Sequence, residues 1–205
     1  ESQLGMVSAF YFIPVGILAI FVGRALDKYS VKNFMMIGAI IYAVGLFSLS
    51  FINSFWSLLT IYLTILALGS IMMGNLAVAK LISNWFDKNA GRALGIAAIG
   101  ISFSGVVLPL VVDPLLDLVG WRNVYLIFAS VVLFIILPLI FFTVIDDPKT
   151  VNQVKDGIKI DNEEKFISQE MTAKELLSKK VFWIISLAFA FQFLSMMGVL
   201  AFLPV

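Results

Sequence analysis

The sequence contains no cysteine and no histidine. Without cysteine there is no disulfide, no thiolate metal site and no cysteine nucleophile. Without histidine the usual proton shuttle, the commonest metal ligand and the base of most nucleophilic dyads are missing. Charge is scarce as well: 13% of the 205 residues are charged and the net charge is +1. No basic patch interleaved with aromatics offers a grip on phosphates, so no nucleic-acid partner is expected. What fills the chain instead is apolar. Hydrophobic residues make up 61% and the mean hydropathy is +1.03, more apolar surface than a soluble domain of this size covers. Such a chain belongs in a bilayer.

A bilayer core takes about 20 mostly apolar residues per helix. Six segments satisfy that length: residues 4 to 22, 34 to 53, 57 to 79, 93 to 112, 123 to 145 and 181 to 204. A lipid-facing backbone must satisfy its own hydrogen bonds, so each is expected to be an α-helix and the whole an all-α, polytopic transmembrane bundle. Pro14, Pro109 and Pro138 each remove a backbone bond and can kink their helices. Gly95, Gly100 and Gly105 are expected to let the 93 to 112 helix pack closely on a neighbour. The chain opens on Glu1 and stops at Val205 inside an apolar run, so it is expected to be a fragment.

Orientation follows from the basic residues, because cytoplasmic loops carry the excess of Lys and Arg. With the helices alternating, thirteen of the fourteen positive charges fall on one side and Arg122 stands alone on the other. The loops at 23 to 33, 80 to 92 and 146 to 180 are therefore expected in the cytoplasm. The last of these holds seven Lys against eight Asp or Glu and reads as a solvated linker, with Pro148 marking the stop of the preceding span. Near its end Thr172 and Glu175 form a capping box and Met171 can staple onto Leu176, which predicts a short amphipathic helix on the membrane surface.

Between the first two spans lies a charged turn, "GRALDKYSVK". Its pattern of Gly23, Asp27, Lys28 and Lys32 resembles the signature between the second and third helices of the major facilitator superfamily, although Ser30 and Val31 stand where that family usually has Gly and Arg. By its own chemistry, Gly23 is expected to supply the bare backbone that a tight two-helix turn needs. Asp27 can accept from helix N-terminal amides or pair with a cation. The resemblance implies that this turn is a cytoplasmic gate, closed in one state and open in another. A second stretch, with Trp85-Phe86, then Gly91, Arg92 and Gly95, then Gly100, Pro109 and Gly120-Trp121-Arg122, is similar to the superfamily branch that holds monocarboxylate transporters and oxalate:formate antiporters. Phe182-Trp183 resembles that branch's entry to its seventh helix.

The resemblance implies a partial fold, six of twelve expected helices. Residues 1–145 would be an N-terminal half lacking its first helix, 146–180 the inter-half linker, and 181–205 the first helix of the C-terminal half. It implies a secondary transporter in the plasma (inner) membrane, moving a small monocarboxylate-like anion by alternating access, as proton symport or as an antiporter. The missing half of the chain and the bilayer would be its partners, and no cofactor is implied. Polar side chains facing a cavity are the natural ligands. Tyr62, Thr64, Ser70 and Asn75 are candidates on the 57 to 79 span, Gln192 and Ser195 on the last, with Asn75 and Gln192 the largest amides at depth. Lys80 is expected to snorkel to the cytoplasmic interface. Asp113 and Asp117 are expected in or near an external loop. A non-transporting sensor subunit is the alternative. An intramembrane protease is disfavoured, because Ser102 and Ser104 have no histidine to activate them and no H-E-x-x-H helix is present.

Overall fold

The computed structural model describes residues 2–151, 153, 155–157 and the single positions 178, 180, 183, 184 and 187, with side chains from Pro14 onward. Two compact units divide the chain, residues 1–160 and 161–205. In the second, only Ser178, Lys180, Trp183, Ile184 and Leu187 are described, all helical. Gln192, Ser195 and the capping box at Thr172 lie outside the described residues.

The first unit is helical throughout, with no strand among the described residues. Helix α1 (Ser2–Lys28) is followed by α2 (Val31–Leu49). The next span runs from Phe55 to Trp85 as α3 (Phe55–Ile61), a π-helical turn (Tyr62–Leu66), α4 (Ala67–Met73) and α5 (Asn75–Trp85). Helix α6 (Ala90–Val131) leads through a second π-turn (Val132–Ile136) into α7 (Leu137–Thr143). Among the described residues, three stretches are long and apolar enough to cross a membrane: Val31–Leu49, Phe55–Trp85 and Ala90–Thr143. The last is two crossings, because Gly120 at φ 75° and ψ 159° breaks α6. A positive φ of that size belongs to glycine, which has no Cβ to clash. The second π-turn sits immediately before Pro138, and such a bulge absorbs the carbonyl that the proline cannot bond.

Helix α2 is the centre of the packing. Its Met35, Ala39, Ala43 and Leu46 recur at helical spacing and join Leu66, Ile71 and Met72 of the third span and Ala129, Val132 and Ile140 of the last crossing in one core. Small residues make the closest approach. A Cβ at Gly69 would lie 2.7 Å from the Tyr42 nitrogen, and one at Gly38 would lie 2.6 Å from the Met72 Cβ. This is the expected small-residue seam of membrane helices, but on α2 and α4. Around Gly95, Gly100 and Gly105, where it was expected, a built Cβ meets nothing within 4 Å. The buried residues of α6, Val124 and Ala129, both follow Gly120, so no residue of its first part is buried among the described residues.

Gly23 also differs from expectation. It lies inside α1, and a Cβ there would meet only Leu76 Cδ2 at 3.8 Å, an ordinary contact. The helix runs on to Lys28, so the chain reverses at Tyr29-Ser30 instead. There Ser30 caps α2 by accepting from the Asn33 amide at 3.2 Å.

Candidate functional site

Nine hydrogen bonds gather one end of the bundle. The charged turn after α1, the α5–α6 turn and the segment after α7 meet there. Lys80, on α5, donates from Nζ to Asp27 Oδ1 at 2.6 Å, the sole ion pair among the described residues. Its side chain is 32% exposed and that of Asp27 70%, so the lysine stem runs along the protein while its head reaches the wet end. Lys32 donates its amide to Asp146 Oδ1 at 2.7 Å, a second cap on α2, and its ammonium sits 4.9 Å from the Phe141 ring centroid. Trp85 donates from Nε1 to the Ile145 carbonyl at 2.7 Å, and Asn84 donates to the Asp146 carbonyl at 3.1 Å. These two bonds tie the end of α5 to the end of α7.

The segment beyond closes over the same end. Asp156, in the left-handed region at φ 58°, accepts from the amides of Lys88 at 2.7 Å, Asp87 at 3.0 Å and Asn89 at 3.4 Å, and from the Asn89 side chain. Asn89 occupies the N-cap position of α6 and makes no side-chain capping bond; the Asp156 carboxylate instead gathers the amides of the turn just ahead of the helix, at its positive end. Desolvation pushes the Asp156 carboxyl up, but the three backbone amides and the Asn89 side chain together hold it below the ordinary carboxylate value. Lys155 adds a bond to the Ser83 carbonyl at 3.0 Å.

Of the turn residues named from sequence, Asp27 and Lys32 are held here, while Lys28 is exposed at the end of α1. Gly91, Arg92 and Gly95 open α6 beside the Asp156 clasp, and a Cβ at either glycine would meet nothing within 4 Å. Val31, at the position where the superfamily signature has arginine, is buried in the core at 2% exposure. No sequence signal announced the Asp156 clasp, because its two sides lie 67 to 69 residues apart.

The cavity candidates separate by what they already bond. Thr64 donates to the Thr60 carbonyl at 2.6 Å and Ser70 to the Ala67 carbonyl at 2.9 Å, both within their own span. Tyr62 opens the first π-turn, half-buried against the core. Asn75 is exposed and is the first residue of α5, just after Gly74 at φ −88° and ψ −152° breaks the span. The break leaves the first amides of α5 without helical acceptors. At membrane depth, irregular backbone is tolerated where protein covers it or where it lines a water-filled cavity. Asp113 and Asp117 are exposed on α6 ahead of the Gly120 break.

The sequence profile of the Major Facilitator Superfamily matches residues 1–205. An MFS-type transporter of Gibberella moniliformis is 28% identical over 120 residues, 58% of this chain and 29% of that protein. The MFS-type transporter YcxA of Bacillus subtilis is 26% identical over 142 residues, 69% of this chain and 35% of that protein. The riboflavin transporter MCH5 of Saccharomyces cerevisiae is 24% identical over 112 residues, 53% of this chain and 21% of that protein. No solved structure is a significant match. The matched region spans about a third of the length of the first curated relatives. With its profile matched from end to end, its apolar helices and its charged turn between the first two of them, this integral membrane chain belongs to the Major Facilitator Superfamily, whose transporters move small molecules across membranes.

Proposed function

We propose that the chain forms part of a secondary transporter that carries a small monocarboxylate-like organic anion across the plasma membrane by alternating access, as proton symport or anion exchange. In this reading residues 1–145 belong to the N-terminal half, 146–180 link the halves and 181–205 begin the second half. The observation that carries it is the broken span: Gly74 interrupts Phe55–Trp85 and leaves Asn75 exposed at the start of a half-helix. Transporters place discontinuous helices of this kind at their central sites. The Asp27–Lys80 pair supports a gate at the end with the three cation-bearing turns, which the charge rule makes cytoplasmic. Both partners are exposed enough for the pair to open at little cost.

Counterflow of a labelled monocarboxylate in proteoliposomes of the full-length protein tests the reading. Flux is expected, with Asn75→Ala weakening substrate binding. Asp27→Asn is expected to slow flux severalfold while binding persists. Binding without any flux, in a protein that is correctly inserted, would make it a sensor instead. A second reading has one observation in its favour. Lys80, the one cation near the described broken span, is already paired at its end, and a relative is named as a riboflavin transporter. A larger organic cargo would then be expected to compete with the carboxylate for counterflow.

A further inference from the structure

At the end of α2 opposite the Asp27 cluster, roughly 28 Å away by the rise of its 19 residues, lies a cleft of about 620 Å³. It is walled by Ile52, Asn53, Phe55, Leu58, Trp121 and Arg122. Arg122 is the one basic residue that the loop assignment places at this end. Its guanidinium stacks 4.3 Å from the Trp121 ring. One nitrogen, Nη2, donates to the Ile52 carbonyl at 3.1 Å and to Asn53 Oδ1 at 3.0 Å. These partners orient the fork but carry no net charge, and the sole ion pair among the described residues is at the other end. Nη1 and Nε take no bond among the described residues, so a fixed, uncancelled cation faces the cleft with donors to spare.

The surroundings identify the ligand. Trp56 is 73% exposed, and Phe51, Phe55 and Trp121 are exposed beside it, all at span ends. Exposed aromatics at that level mark the headgroup layer of a bilayer. At that level the phosphodiester of a lipid would supply the oxyanion, since its geometry suits a planar guanidinium and its acyl chains can lie along the apolar flank. We infer that the Arg122–Trp121 cleft binds the headgroup phosphate of an anionic phospholipid, in the leaflet opposite the cation-rich turns.

Native mass spectrometry of the full-length protein with phosphatidylglycerol reads this out. Because the cation-rich end also attracts anionic lipid, the quantity of interest is the tightest-bound molecule and its loss in variants. Arg122→Gln is expected to weaken that lipid about tenfold, the scale of a charge-assisted hydrogen bond. Lys88→Gln, at the other end, is expected to retain it. Asn53→Asp keeps a partner for the guanidinium while neutralising it, and is expected to show the same loss, which separates charge from folding. Tight binding left intact in both Arg122→Gln and Asn53→Asp overturns the inference. So does equal binding of phosphatidylcholine, which removes the preference for net negative charge. Displacement of the lipid by millimolar glycerol phosphate would overturn it too, by making the cleft a site for a free solute.

Discussion

Val31 and Asp27 divide the labour of the charged turn between two kinds of force. The Val31 side chain is 2% exposed, and full burial of a valine is worth roughly 1.5 kcal/mol or more. The Asp27–Lys80 pair, with Asp27 70% exposed, is worth under about 1 kcal/mol after screening. Packing therefore holds the turn in place, and the ion pair is free to be made and broken. Asp156 offers a sharper residue-level test. Its folded pKa is depressed by the amides it accepts, so its contribution is present above the unfolded carboxylate pKa and is lost as pH falls through the lower folded value. At neutral pH, Asp156→Asn is expected to speed hydrogen exchange at Asp87, Lys88 and Asn89 severalfold relative to wild type. That ratio is expected to shrink toward one in acid, where the wild-type carboxylate is itself protonated. An unchanged ratio between neutral and acid would show that charge plays no part in the clasp.

At the scale of elements, two sets of glycines look alike in sequence and differ in space. Gly69 faces the Tyr42 backbone, so Gly69→Ala forces a Cβ into 2.7 Å of a main-chain nitrogen that cannot step aside. A loss of about 1–3 kcal/mol is expected, read as a lowered thermal midpoint in detergent. Gly95→Ala meets nothing within 4 Å and is expected to be neutral or to stabilise by up to roughly 1 kcal/mol through helix propensity. This contrast explains what was legible beforehand. The apolar runs were plain because span length is a one-dimensional property, and α2, the Phe55–Trp85 span and the two crossings flanking Gly120 fall where they predict. Glycine spacing shows where a neighbour could approach and never which neighbour does, so it points to Gly95, Gly100 and Gly105, while among the described residues the close approach lies at Gly38 and Gly69. The Gly74 break and both π-turns left no signal either. A glycine within an apolar run is compatible with an unbroken helix, and a π-turn has no residue signature of its own.

For the whole molecule, the two ends of α2 carry opposite characters. One end gathers Asp27, Lys80, Asp146 and Asp156 from three distant stretches into a bonded cluster, and the other holds Arg122 among aromatics. Alternation of spans had implied this grouping, and the hydrogen bonds bring the three cation-bearing turns to one end without any appeal to charge counting. Which end faces the cytoplasm is the remaining step, and it rests on the excess of lysine and arginine alone. These 205 residues hold no cysteine, so in the full-length protein, with any cysteine outside them replaced by serine, single thiols can be introduced without background. Lys28→Cys and Lys88→Cys are expected to resist a membrane-impermeant maleimide in intact cells and to react once the membrane is opened, whereas Asp117→Cys, exposed before the Gly120 break, is expected to react at once. Labelling of Lys28→Cys or Lys88→Cys from outside would invert the molecule. The proposed gate at Asp27 would then open outward and the Arg122 cleft would lie against the inner leaflet, although every bond between the helices would stay as described.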